Sequence, residues 1–102
     1  MIESKHVWLD GKMVPFEDAN VHVLSHTLHY GLGAFEGIRS YRQTDGGGGI
    51  FKLDEHLHRL FDSAKMCRMK MPFDFETVRK ACIDTLIANE YEEADIRPIV
   101  FL

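Results

Sequence analysis

His22, His26 and His29 lie four and then three residues apart, a spacing that would turn three imidazoles toward one metal ion if the segment were helical. Val21-His22-Val23-Leu24 reads as extended, however, which takes His22 off that face, and no cysteine or carboxylate completes a ligand set nearby. The expectation is histidines hydrogen-bonded in a turn, and no metal. His56 and His58 open a helix, where side chains two apart point away from each other. Arg59 is more informative. With the apolar stripe on Leu57, Leu60, Phe61 and Ala64, Arg59 points roughly 200° from Leu57, taking about 100° per residue, and so away from the core. Composition alone favours a solvated arginine paired with Glu55 or Asp62. A second group sits on one strand. Phe35, Gly37 and Arg39 share a face: an aromatic wall, a missing side chain, and a cation able to grip a carboxylate with two hydrogen bonds. Alternatively the strand is weak, with Phe35 in the core and Arg39 at its rim.

The elements that must position these groups follow from pattern. Asp10-Gly11 between His6–Leu9 and Lys12–Pro15 predicts a hairpin with a two-residue turn. Ser25 caps a short helical turn running to about His29. Gly33 to Arg42 reads as a strand with Phe35, Gly37, Arg39 and Tyr41 on one face and Ala34, Glu36 and Ile38 on the other. Asp45 to Gly49 is a hairpin tip before a strand Ile50–Lys52; it lacks the Lys-Ser/Thr and helix start of a phosphate-binding loop. Two helices follow. One is capped by Asp54 and broken by Met71-Pro72; the other is capped by Asp74, carries Val78, Cys82, Thr85 and Leu86 on one stripe, and ends at Asn89. A last strand runs from Ile96 to Leu102, with Pro98 marking an edge or one unpaired position. The order predicts an α+β fold: an antiparallel sheet with two helices packed on one face.

Composition narrows the functional classes. The 102 residues carry 12 basic and 16 acidic side chains for a net charge of −4, which gives no electrostatic reason to bind nucleic acid or an anionic membrane. With 45% hydrophobic residues the chain can build one modest core. No apolar run approaches the roughly 20 residues that span a bilayer. No secretion signal is visible, and the isolated Cys67 and Cys82 suit reduced thiols in the cytoplasm. The chain stops inside the apolar run Ile99-Val100-Phe101-Leu102, which predicts an incomplete domain over residues 1–102.

The segment Val21-His-Val-Leu-Ser-His-Thr-Leu-His-Tyr-Gly-Leu-Gly-Ala-Phe-Glu-Gly-Ile-Arg39 resembles the N-terminal signature of branched-chain amino acid aminotransferases, fold-type IV enzymes that use pyridoxal 5′-phosphate (PLP). The resemblance continues through Trp8-Leu9-Asp10-Gly11, the helix from Glu55 to Lys65, and Ile96-Arg97-Pro98. It implies the N-terminal small domain of a two-domain enzyme. It also implies that Arg59 holds the cofactor phosphate and that Tyr30, Phe35 and Gly37 shape the substrate pocket. Arg97 then binds the distal carboxylate of glutamate, and Arg39 belongs to the carboxylate environment. The implied reaction is ping-pong transamination between L-leucine, L-isoleucine or L-valine and 2-oxoglutarate, in a cytoplasmic homo-oligomer. The Schiff-base lysine of such enzymes lies in the larger domain. None of Lys5, Lys12, Lys52, Lys65, Lys70 and Lys80 occupies its context, so no catalytic residue is expected in this chain and the chain alone is expected to be inactive. Two other readings share these residues. One is a fold-type IV relative, a D-amino acid aminotransferase or an aminodeoxychorismate lyase; the other is a non-catalytic binding or assembly domain.

Overall fold

Apolar residues at helical spacing and at strand alternation converge on one layer of helix against one face of a sheet. A computed structural model describes residues 4–44 and 48–102. In chain order the elements are β1 (His6–Leu9), β2 (Lys12–Pro15), a 3₁₀ turn (Phe16–Asp18), α1 (His26–Tyr30), β3 (Gly33–Phe35), β4 (Ile38–Arg42), β5 (Gly48–Ile50), α2 (Leu53–Met66), α3 (Phe75–Asn89), β6 (Ala94–Ile96) and β7 (Ile99–Phe101). The α+β class holds, with a third, short helix in α1. None of the helices among the described residues is long and apolar enough to cross a membrane.

β1 and β2 pair antiparallel with Leu9 opposite Lys12, and both turn residues take positive φ, Asp10 at 50° and Gly11 at 91°. That is the geometry a tight hairpin needs and that Asp-Gly supplies. Trp8 and Phe73 pack in a T-shaped pair with 5.1 Å between ring centroids. The buried amide of Asn89 ties this hairpin to the end of α3. It accepts from the backbone N–H groups of Lys5 (2.7 Å) and His6 (2.8 Å), and donates to the carbonyls of His6 (2.9 Å) and Thr85 (2.8 Å).

The sheet is built from two antiparallel pieces. One has the order β5–β4–β6, and the other pairs β3 with β7. The register is the same in both: Phe35 faces Ile99 on one side of the break and Ile38 faces Ile96 on the other. Glu36 and Gly37 therefore lie opposite Pro98 and Arg97. The Glu36 N–H donates to the Pro98 carbonyl at 3.1 Å, but the proline ring has no N–H to return. The expected strands Gly33–Arg42 and Ile96–Leu102 are each divided at this point for that reason.

Ala34, Ile38, Leu53, Leu57, Leu60, Ala64, Met69, Val78 and Cys82 form the core between the sheet's inner face and α2 and α3. The Ser40 hydroxyl, also buried, donates to the Glu92 carbonyl at 2.8 Å and draws β6 in beside β4. Gly48 passes so close to that turn that a Cβ there would sit 2.7 Å from the Glu92 carbonyl oxygen, which only glycine avoids.

Several expected boundaries move. α2 begins after Lys52, which takes a left-handed φ of 52°; Asp54 lies inside the first turn and pairs with Arg79 instead of capping. The helix ends at Met66, well before Pro72. Arg68 turns left-handed (φ 58°), the Met69 N–H reaches back to the Ala64 carbonyl at 2.8 Å, and the Arg68 N–H to that of Lys65 at 3.0 Å. This is a Schellman end sealed by buried Met69. α3 behaves as expected at its start, where the Asp74 carboxylate accepts from the Thr77 N–H at 2.8 Å. β5 occupies Gly48–Ile50 and not Ile50–Lys52, because Phe51 and Lys52 form the turn into α2. Val21–Leu24 is irregular backbone and not a strand. Of the expected tip Asp45–Gly49, residues 45–47 lie outside the described residues, and Gly48 and Gly49 pair instead with Arg42 and Tyr41 in β5.

Candidate functional site

The alternation of β3 and β4 sorts two sets of side chains onto opposite faces. Ala34, Glu36, Ile38 and Ser40 are buried; Phe35, Gly37, Arg39 and Tyr41 are exposed. On the exposed face the partners are Ile99 opposite Phe35, Arg97 opposite Gly37, and Asp95 opposite Arg39. Phe35 is 55% exposed and is not a core residue. The Arg97 guanidinium lies over its ring at 4.7 Å, a cation–π contact in which arginine stays charged and accessible. A side chain at Gly37 would meet nothing within 4 Å, so the space between these groups is open. Arg39 donates to Asp95 at 3.0 Å and lies 5.7 Å from the Tyr41 ring. Its charge is therefore already matched at the rim of this face. Tyr30 sits apart from these contacts. It closes α1, is 76% exposed, and its ring rests against His26 at 4.6 Å. α1 itself is tied to the end of β7, where the Leu102 N–H donates to the Thr27 hydroxyl at 2.7 Å and the Thr27 N–H to the Leu102 carbonyl at 3.1 Å.

Arg59 is exposed on α2, but instead of pointing away from the core or pairing with Glu55 or Asp62 it turns to a buried carboxylate on the sheet's inner face. Its Nε donates to Glu36 Oε2 at 2.9 Å and its Nη2 to Glu36 Oε1 at 2.8 Å. His56, one turn earlier on the same helix, donates from Nδ1 to Oε1 at 2.8 Å. The Arg59 hydrogen bonds hold the Glu36 carboxyl below the usual carboxylate range; burial opposes this, and His56 adds to it. Glu36 and His56, which are not among the expected site residues, complete this cluster. Both left a trace in the sequence. Alternation places Glu36 on the buried face, where a carboxylate needs a partner, and His56 and Arg59 are three apart on one helical face.

The histidines of the α1 region make local bonds. His29 Nε2 donates to the Val23 carbonyl at 2.8 Å, and His22 Nδ1 accepts from the Leu24 N–H at 3.0 Å. Among the described residues no three His, Cys, Asp or Glu side chains come together as a metal site would require.

Known proteins resemble this chain over nearly all of it. It is 46% identical to the branched-chain-amino-acid aminotransferase of Pseudomonas aeruginosa over 95 residues, which cover 93% of this chain and 31% of that protein. The T.th. branched-chain amino acid aminotransferase complexed with N-(5′-phosphopyridoxyl)-L-glutamate superposes with a TM-score of 0.95 at 42% identity, covering 99% of this chain and 34% of its own. The same enzyme complexed with 4-methylvaleric acid gives 0.96 at 41% identity, covering 100% of this chain and 34% of its own. The chain thus spans about a third of the length of the relatives it matches. Residues 33–102, from the first strand of the divided sheet through its last, match the family described as Amino-transferase class IV, and on that match this chain belongs to the class IV aminotransferases.

Proposed function

We propose that this chain is the N-terminal small domain of a branched-chain amino acid aminotransferase. The complete protein exchanges the amino group between L-leucine, L-isoleucine or L-valine and 2-oxoglutarate by a ping-pong mechanism, and the 102-residue chain alone is inactive. The observation that carries the reading is the open sheet face, where the apolar wall of Phe35 and the guanidinium of Arg97 share one space beside Gly37. A transaminase of this kind must admit an aliphatic side chain and a carboxylate to the same pocket. Arg97 meets both demands: it stacks on Phe35 when the occupant is aliphatic and pairs with the distal carboxylate when the occupant is glutamate. Phe35 walls the aliphatic portion, Gly37 leaves room, and Arg39, balanced by Asp95, contributes to the carboxylate environment. Tyr30, exposed on α1 apart from these residues, is assigned to the pocket on the resemblance alone.

PLP, when bound, supplies the electron sink of the reaction. Arg59 fits the phosphate of that cofactor. Its side chain is 68% exposed, and both Nη1 hydrogens and the second Nη2 hydrogen have no partner among the described residues. None of the six lysines occupies the sequence context of the Schiff-base lysine in the enzymes this chain resembles. The reacting amine is therefore assigned to the remainder of the protein. The free thiols Cys67 and Cys82 support a cytoplasmic setting, and the exposed apolar residues around α1 support a homo-oligomer.

The test is an assay of the complete protein with PLP. L-leucine with 2-oxoglutarate yields glutamate, and D-alanine is a poor donor. Preference for D-alanine, or pyruvate release from aminodeoxychorismate, refutes the substrate class in favour of another fold-type IV reaction.

A further inference from the structure

Glu36 is 6% exposed on a sheet face otherwise given to Ala34, Ile38 and Ser40. A carboxylate there costs desolvation free energy that an apolar residue would not, so its pairing is weak support for stability. What the pairing does is fix a direction. Glu36 takes the Nε–Nη2 edge of Arg59 with two hydrogen bonds, at 2.9 and 2.8 Å, and leaves the Nη1–Nη2 end without a partner among the described residues. That end is itself a planar fork, suited to two oxygens of a phosphate. Arginine has several rotatable bonds, and an exposed one has no single orientation unless something holds it. Here the holder is rigid. Glu36 sits at the break between β3 and β4 with its own N–H bonded to Pro98, and His56 secures the Oε1 atom.

We propose that Glu36, backed by His56, is a positioning residue that sets the free edge of Arg59 toward the phosphate of PLP. The inference rests on the reading of Arg59 as the phosphate anchor. Two effects of Glu36 oppose each other. It orients the guanidinium, which strengthens phosphate binding, and it offsets the positive charge, which weakens it. Arginine keeps its full formal charge and at least two free donors in the pair, so orientation wins.

Titration of the cofactor-free complete protein with PLP and with pyridoxal, which lacks the phosphate, followed by absorbance, tests this. Arg59→Ala weakens PLP binding by roughly 10- to 100-fold, the range for charge-assisted hydrogen bonds. Glu36→Gln weakens PLP binding by about 10-fold, leaves pyridoxal binding unchanged, and adds nothing in an Arg59→Ala background. Equal losses for PLP and pyridoxal, or the same loss with Arg59 already removed, would mean that Glu36 only supports the fold and overturns the proposal. Tighter PLP binding by Glu36→Gln overturns it in favour of charge offset. If Arg59→Ala itself leaves PLP affinity unchanged, the phosphate-anchor reading fails first and the proposal falls with it. His56→Leu, which removes one bond to Glu36 without emptying the buried acid site, repeats the same cycle where Glu36→Gln does not fold. It gives a smaller loss, about 2- to 5-fold, again only for PLP and only with Arg59 present.

Discussion

Arg97 and Glu36 illustrate how neighbouring residues on a strand pair acquire unrelated duties from the two-residue period of β structure. Arg97 faces the open side over Phe35, and on the proposed dual-recognition reading its removal costs one substrate more than the other. In the complete protein, Arg97→Ala lowers kcat/KM for glutamate by roughly 10-fold or more, as loss of a charge-assisted carboxylate contact does, and for leucine by much less. Equal losses for the two substrates would refute a shared pocket. Glu36 faces the buried side, and its carboxyl is held below its ordinary value near 4.5 by Arg59, against burial, and by His56. The unfolded chain therefore takes up a proton at a higher pH than the folded one. The stability this pair supplies is complete above the ordinary carboxylate range and is lost as pH falls through the lower, folded-state value. Thermal melts of the chain between about pH 7 and pH 3 check this: Glu36→Gln melts with a shallower acid dependence than the parent, and identical slopes would remove Glu36 as a contributor.

At the scale of elements, the residues that matter most to stability are those joining α2 to the sheet. Leu57 is fully buried, and Leu60 and Ile38 are nearly so. Leu57→Ala is expected to destabilise the chain by about 2–5 kcal/mol, read by denaturant unfolding, because truncation there leaves a cavity between helix and strand. A cost below about 1 kcal/mol would mean that the core repacks freely. The two long helices, their apolar stripes and the Asp-Gly hairpin were legible from spacing alone, since each depends on neighbours within four residues. The boundaries that moved depend on something else. α2 starts after a left-handed Lys52 and stops at a left-handed Arg68, and neither residue type announces that conformation. It is tolerated because the chain before and after the helix is held by the sheet and by buried Met69. The split of each long strand follows from Pro98, whose missing N–H is evident in sequence; that the gap falls at Glu36 and Gly37 depends on the register.

The whole molecule measures 44 × 30 × 22 Å and has one sheet face covered by helices and one open. Helices cover the inner face of the sheet, while Phe35, Tyr41, Arg39 and Arg97 remain open on the outer. With no lysine in the expected Schiff-base context, borohydride treatment of this chain with PLP is expected to leave no stoichiometric, site-specific lysine adduct by peptide mass analysis. One such adduct would place the reacting amine in this chain and overturn the assignment of chemistry elsewhere. The expected direction of Arg59, away from the core, gives way to its pairing with buried Glu36. Which strand residues share a face and which helix carries that arginine were fixed by periodicity, because backbone geometry repeats every two or 3.6 residues regardless of context. The partner of Arg59 was not. Glu36 lies 23 positions away, and the choice between it and the nearer Glu55 or Asp62 turned on α2 crossing the sheet at the β3–β4 break. Local spacing records what a helix presents; only the packing of that helix against a strand decides what it meets.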